Sequence, residues 1–224
     1  MVPSSAVEDE SILSWCVDRS EFPYFSQFAS ADLIGDFVSR RMSIRDDPRW
    51  ASTGARTADE YRRWALAGCG MACLQMLLAA TGRSVPGLVE LGRECQAAGG
   101  YRERDDGGLD GLFYAEFAAY LGAAHGLVAR VAAPLSTREL LTAAAGEEVV
   151  LASVHHSIRT PEIAPPERGG HLVLVIDADL DTEKVRFHNP SGHTGAMQRD
   201  AVLNARTFGR FYAERGVAVT LARG

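Results

Sequence analysis

Three residues in this sequence have side chains and neighbours suited to acyl transfer: Cys69, His171 and Asn189. Cys69 lies between Gly68 and Gly70, at the head of an apolar run. Small flanking residues leave a thiol accessible, and a helix N-terminus favours a thiolate through its dipole and free N–H groups. The backbone N–H of such a cysteine also donates to a developing oxyanion. His171 follows Gly169-Gly170 and opens the apolar run Leu172 to Ile176, which puts a polar ring at the mouth of a strand. Beside a nucleophile, that ring is a candidate general base. Asn189 comes 18 positions later, where Pro190 stops the next strand, and its amide oxygen can hold the imidazole tautomer. A fourth residue, Gln27 in Pro23-Tyr24-Phe25-Ser26-Gln27, has an amide that can serve as a second oxyanion donor. Each residue taken alone also has a plain reading. Cys69 is then a packed cysteine on a core helix, His171 a structural histidine, and Asn189 part of an Asn-Pro-Ser-Gly turn. Gln27 in isolation carries no signal.

Specific elements must position these groups. Thr57 to Glu60 forms a capping box, which predicts a short helix from about Ala58 to Leu66, ended by Ala67-Gly68. A second helix is predicted from Cys69 to about Thr81, apolar almost all round and therefore central and buried. Helical spacing also appears over Asp32 to Met42, Leu88 to Gln96, Leu109 to Leu121 and Thr137 to Ala144, the last with a capping box from Ser136. Ala6 to Arg19 reads as an opening helix or irregular arm, Phe22 to Gln27 as extended chain, and Ser43 to Ala55 as loop. Val149 to Val154, His171 to Asp177, Lys184 to His188 and Gly216 to Leu221 are β-rich. Gly99 to Gly108 and Ile158 to Gly170 read as exposed loops. Helices first and strands second imply an α+β architecture: a helical part with a central nucleophile helix, packed on a C-terminal, mostly antiparallel sheet.

The order Gln, Cys at a helix start, His at a strand start and Asn at the next strand's end is that of papain-like enzymes. The chain resembles the bacteriocin-processing, double-glycine type peptidase family within that clan. Pro23 to Gln27 resembles the family's opening motif, Cys69 to Leu78 its nucleophile helix, and Gly169 to Val175 and His188-Asn189-Pro190 its histidine and Asn/Asp motifs. The likeness spans roughly Phe22 to Val219. It implies a papain-like cysteine proteinase fold with Cys69 as nucleophile, His171 as base, Asn189 as orienting residue, and Gln27 and Cys69 in the oxyanion hole. Two departures stand out. Gln27 and Cys69 are 42 positions apart, longer than the family's compact spacing, so residues 28–67 look like an insertion or lid. The transporter part of the family's secretion members is absent, so transport-coupled leader removal is not implied. One domain over residues 1–224 is expected, with 1–21 as an N-terminal arm. Gly70, Trp64 and Gly170 are the expected substrate contacts, with Trp50 and Trp64 either lining the cleft or packing the insertion.

Other constellations carry less. The cysteines Cys16, Cys69, Cys73 and Cys95 contain no Cys-x-x-Cys pair, which excludes zinc-ribbon spacing. Cys73 follows Cys69 by one helical turn and reads as a core residue rather than a resolving thiol. His155 and His156, with His193, His188 or Cys69, are conceivable metal ligands. Adjacent strand residues point to opposite faces, however, and that works against a shared site.

The bulk composition sets the remaining limits. At 224 residues, 46% hydrophobic and 23% charged, the chain can build a core of ordinary size without disulfides. The net charge of −6, with no basic run, disfavours nucleic acid and anionic membrane surfaces. No stretch approaches the ~20 apolar residues of a membrane span, and the acidic start lacks a signal-peptide pattern, so a cytoplasmic location is expected. The expected activity is cysteine-dependent hydrolysis of a peptide or amide bond through a thioester, with a peptide or peptide-like small molecule as substrate and no metal or organic cofactor. One alternative is an acyltransferase or amide ligase of the same fold, as in peptide natural-product maturation. The other is a non-catalytic binding module.

Overall fold

The computed structural model describes residues 17–221, so Cys16 and the expected opening helix lie largely outside the described residues. The α-helices of the described residues start with α1 (Ile34–Val38), α2 (Ala58–Ala67), α3 (Cys69–Ala80) and α4 (Leu88–Ala97). A hairpin follows, β1 (Tyr101–Glu103) and β2 (Leu109–Gly111), then α5 (Tyr114–His125), β3 (Ala129–Ala132) and α6 (Thr137–Ala145). The remainder is β4 (Glu148–Val154), β5 (His171–Asp179), β6 (Lys184–His188), β7 (Ala201–Asn204), α7 (Ala205–Phe211) and β8 (Tyr212–Thr220). The architecture is α+β, as the element pattern implies.

Six strands form one sheet in the order β3-β8-β4-β5-β6-β7, and every pairing is antiparallel. The two central strands are buried on both faces. Val149 and Leu151 of β4, with Leu174 and Ile176 of β5, join α3, α4 and α5 in one core. Val150 and Ala152, with Val173 and Val175, face Leu140, Leu141, Phe208 and Phe211 of α6 and α7 in a second core. Alternation along a strand sends successive side chains to opposite faces. A continuous apolar run such as Leu172 to Ile176 is therefore the mark of a strand covered on both sides. Burying each of these large side chains contributes roughly 2 kcal/mol.

The structure departs from the sequence reading in several places. Helices cover both faces of the sheet, because α6 and α7 pack opposite the N-terminal helices. The helix expected from Leu109 begins at Tyr114 instead. Leu109–Gly111 pairs with Tyr101–Glu103, closed by a turn in which Arg104 N–H donates to Gly108 O at 2.9 Å. Asp105-Asp106-Gly107-Gly108 is hairpin-turn chemistry, and Leu109, Leu112 and Phe113 only imitate helical spacing. The Gly99 to Gly108 stretch accordingly contains the strand Tyr101–Glu103 and the turn that follows it. β8 begins at Tyr212, four residues before the expected strand. β3, β7 and α7 are additions to the expected elements, and Asn204 caps α7 by accepting from Thr207 N–H at 2.8 Å. Thr57 and Ser136 both cap their helices, accepting from Glu60 N–H and Glu139 N–H. Glu139 closes its box by accepting from Ser136 N–H, whereas Glu60 reaches one residue further back, to Arg56 N–H.

Residues 28–67 do not form a loose loop. Phe28, Ile34, Phe37, Tyr61 and Ala65 make a small core of their own, with Trp50 packed against it. Asp47, fully buried, accepts from Ser30 N–H and Oγ and from the Tyr61 hydroxyl, and so ties the segment together. The segment ends in α2, which meets α3 at 83°. That bend puts Gly68-Cys69 at a corner. No single helix among the described residues is long and apolar enough to cross a membrane.

Candidate active site

The corner between α2 and α3 presents Cys69 at the first position of α3, with Gly68 as N-cap. A Cβ at Gly68 would meet the Trp64 carbonyl oxygen at 2.7 Å, so the sharp bend requires glycine there. The backbone amides of Leu172, Gly70 and Cys69 itself lie near the thiol and favour its charged form. The Leu172 amide is the informative one, because it links the helix start to the first peptide of β5. Cys69 is partly exposed where it lines the cleft, whereas Cys73 one turn later is sealed in the core. Cys73 is thus a packing residue, as expected.

His171 opens β5 and is 6% exposed. The two glycines before it both sit at φ +88°, a left-handed conformation that side-chain-bearing residues rarely adopt. Their backbone is what turns the chain from loop into strand beside the thiol. His171 Nε2 lies 2.8 Å from Asn189 Oδ1. An amide oxygen only accepts, so Nε2 carries the proton and Nδ1 is the unprotonated nitrogen. Asn189 Oδ1 also accepts from Ser191 N–H at 3.1 Å, which prevents the amide from rotating.

The extended N-terminal segment locks this turn. Tyr24 Oη donates to Asn189 O, and both Ser26 Oγ and Gln27 N–H donate to Pro190 O, at 3.0–3.1 Å. Gln27 is thereby fixed on the same cleft as Cys69 and His171, across the intervening 42 positions. One proton of its Nε2 donates to Ala65 O at 2.7 Å, while Oε1 is buried without a partner. That bond orients the amide and leaves a second Nε2 proton free.

Charge in the site is governed by burial. Burial pushes the His171 imidazole down to about 3, against the opposing hydrogen bond to Asn189. It pushes the Cys69 thiol up, offset by the three backbone amides and by the nearby Arg159 guanidinium. Both directions favour an uncharged thiol–imidazole pair at rest.

Sequence reasoning missed two members of the site. Ser191, fully buried, has its hydroxyl 3.1 Å from His171 Nε2 and 3.4 Å from Asn189 Oδ1. It also accepts from Arg159 Nε at 3.2 Å. Arg159 lies in the short 3-10 turn His156–Arg159 and lines the cleft beside Cys69. The small Ser in Asn-Pro-Ser-Gly was readable as a site residue only if that turn was taken as part of the machinery.

The expected substrate contacts fare unevenly. Gly170 is exposed and borders the clefts on both sides of Cys69. Gly70 is buried, and a Cβ there would meet Leu112 Cδ2 at 2.8 Å and Leu172 Cδ1 at 3.3 Å, so it makes room for packing and not for substrate. Trp64 is wholly buried against Tyr101 and the Gly92 backbone. On α2, Tyr61, Trp64 and Ala65 share the inward face, while Arg62 and Leu66, one turn apart, face the cleft. Trp50 packs the inserted segment.

His155 and His156 do not point apart, because the strand ends at Val154 and their rings stack at 4.1 Å between centroids. Among the described residues, no group of three or more His, Cys, Asp and Glu could hold a metal ion. His188 has both ring nitrogens engaged by main chain, Nε2 with Phe22 O at 2.9 Å and Nδ1 with Asp200 N–H at 3.0 Å.

No protein-family model matches the chain, and no curated protein is detectably similar to it.

Proposed function

We propose that this protein is a cysteine-dependent acyl-transfer enzyme of papain-like type, acting on a peptide or amide bond. The observation that carries the reading is one arrangement. Cys69 sits at the start of α3 with the Leu172 amide near its sulfur, on the same cleft as a His171 whose Nε2 is held by Asn189 at 2.8 Å. Gln27 on the same cleft supplies the fourth member.

The steps follow from these atoms. As the substrate carbonyl approaches Sγ, the thiol proton moves to His171 Nδ1, and Sγ bonds to the carbonyl carbon. The carbonyl oxygen becomes an oxyanion and accepts from Cys69 N–H and the free Nε2 proton of Gln27. The tetrahedral intermediate collapses, the C–N bond breaks, and the His171 proton leaves with the amine. A water molecule then gives a proton to His171 and its oxygen to the thioester carbon. Cys69 is regenerated and a carboxylic acid released. Asn189 keeps the imidazole in the tautomer these steps need, and Ser191 braces Asn189.

An amine acceptor in place of water would give amide transfer by the same machinery. The test is to mix the protein with an activated acyl ester and follow both the adduct and the product by mass spectrometry. A thioester on Cys69, absent in Cys69→Ser and His171→Ala, supports the reading. Product analysis with and without added amine separates hydrolysis from transfer. Acylation spread over Cys73 and Cys95 would refute it.

A further inference from the structure

The cleft on the Gln27 side of Cys69 has a volume of about 820 Å³. Its cationic side is formed by Arg40, Arg62 and Arg159. Among the described residues, no Asp or Glu lines it. The chain as a whole has a net charge of −6, and many of its arginines are paired elsewhere. Arg41, Arg45, Arg63, Arg93, Arg104 and Arg130 each have an acidic partner within 4 Å. Among the described residues, Arg40, Arg62 and Arg159 form no ion pair. Arg40 is held at φ +59°, in a region that non-glycine residues seldom occupy. Arg159 is partly withdrawn from solvent, which disfavours its charge, yet only its Nε is engaged by the Ser191 hydroxyl. Its terminal nitrogens are left for a partner.

Much of the remaining lining is apolar: Phe28, Phe37, Val38, Met42, Ile44 and Leu66 of the inserted segment. On the other side of Cys69 a second cleft of about 500 Å³ is lined by Leu112, Phe113, Tyr114, Ser153 and Arg215. Three arginines line the first cleft against one in the second, so positive charge is concentrated on one side of the nucleophile. Guanidinium groups match carboxylate and phosphate oxygens through paired N–H donors. Unpaired cations in a partly enclosed cleft also raise the local concentration of anions.

We infer that the Gln27-side cleft binds an anionic group of the substrate, a carboxylate or a phosphate, attached to an apolar body. Arg159, Arg62 and Arg40 receive the charge, and the wall from Phe28 to Leu66 receives the body. This inference rests on the acyl-transfer reading above and specifies its substrate class. Residues 28–67 thereby become part of the binding site, since they supply Arg40, Arg62 and the apolar wall.

The test compares alkylation of Cys69 in the full chain by four reagents: iodoacetate, iodoacetamide, 2-bromoethylphosphonate and 2-bromoethyltrimethylammonium. Each rate is divided by that reagent's rate with mercaptoethanol. The normalised iodoacetate rate should exceed that of iodoacetamide by about tenfold at low salt, and the cationic reagent should be the slowest. The excess should shrink in 0.5 M salt, since charges are screened there over ~3–5 Å. In Arg40→Gln/Arg62→Gln, and separately in Arg159→Gln, the iodoacetate-to-iodoacetamide ratio should fall at least threefold. The relative rates of iodoacetate and the phosphonate tell a carboxylate from a phosphate site. A ratio near one in the native protein, or one unchanged in both variants, overturns the inference while leaving Cys69 a reactive thiol. Failure of every reagent to label Cys69 would instead refute the acyl-transfer reading beneath it.

Discussion

His171 and His188 lie on neighbouring strands, both buried and both pushed down by burial, yet their surroundings differ in kind. His188 spends Nε2 on Phe22 O and Nδ1 on Asp200 N–H, so the ring is a rivet between the N-terminal segment and the β6–β7 connection. His171 has its side-chain partners, Asn189 and Ser191, at Nε2, and the residue lines the same cleft as the Cys69 thiol. The lesson is that burial and a depressed pKa do not mark a functional histidine. A satisfied ring holds structure, whereas a ring with one nitrogen fixed and the other kept free is prepared to move a proton.

Substitution should separate the two rings. His171→Ala is expected to lower the rate of Cys69 acylation about a thousandfold, read by single-turnover mass spectrometry, while the protein stays folded. His188→Ala removes a partner from two buried main-chain groups. It should cost about 3 kcal/mol, read as a lower urea midpoint, with acylation per folded molecule changed less than about threefold. The comparison breaks if His188→Ala silences the folded protein, or if His171→Ala unfolds it.

The supporting groups should rank below His171. Gln27→Ala is expected to reduce turnover about a hundredfold, because one oxyanion donor is worth ~3 kcal/mol. The residue's Ala65 contact predicts only a small accompanying loss of stability. Asn189→Ala should slow acylation about tenfold and broaden its pH dependence, since the imidazole then loses its fixed tautomer. An effect of Asn189→Ala larger than that of His171→Ala would mean that the ring is not the base.

The smallest effects concern pH. With the Cys69 thiol pushed up and His171 pushed down, the proton rests on sulfur at neutral pH. Alkylation of Cys69 by iodoacetamide should therefore climb through pH 7 to 9. A plateau from pH 5 to 8 would mean that the proton already sits on His171. Stability follows the same shift with a definite sign. The unfolded imidazole takes up a proton near pH 6.5 and the folded one near 3, so stability is retained above 6.5 and lost as pH falls. The loss should be about 1 kcal/mol per pH unit between pH 6 and 4, read by thermal melts, with a shallower slope in His171→Ala. An equal slope in the variant would transfer that cost to other histidines, His188 first among them.

How much of this was legible in the sequence follows the range of the signal. Cys69, His171 and Asn189 stand beside glycines and a proline whose backbone consequences are local. Their elements were therefore readable, and the β5–β6 pairing brings the last two together. Ser191 and Arg159 were not readable, because a turn and a 3-10 segment deliver them to the site through tertiary packing. Trp64 was misread because only the register of α2 against α4 decides which face is inward. The β1–β2 hairpin was missed because its apolar residues share a helical spacing. The second helical layer was missed because α6 and α7 are short and amphipathic, and nothing local says which face of the sheet they cover.

The central claim is that Cys69 is a nucleophile activated by His171, and one measurement addresses it directly. The native protein and His171→Ala are treated with a limiting amount of a cysteine-directed electrophilic peptide at pH 7.5, and the modified positions are mapped by tandem mass spectrometry. The account predicts modification at Cys69 alone in the native protein and its loss in the variant. Labelling of Cys69 that survives His171→Ala undiminished, or labelling shared with Cys73 and Cys95, would contradict it.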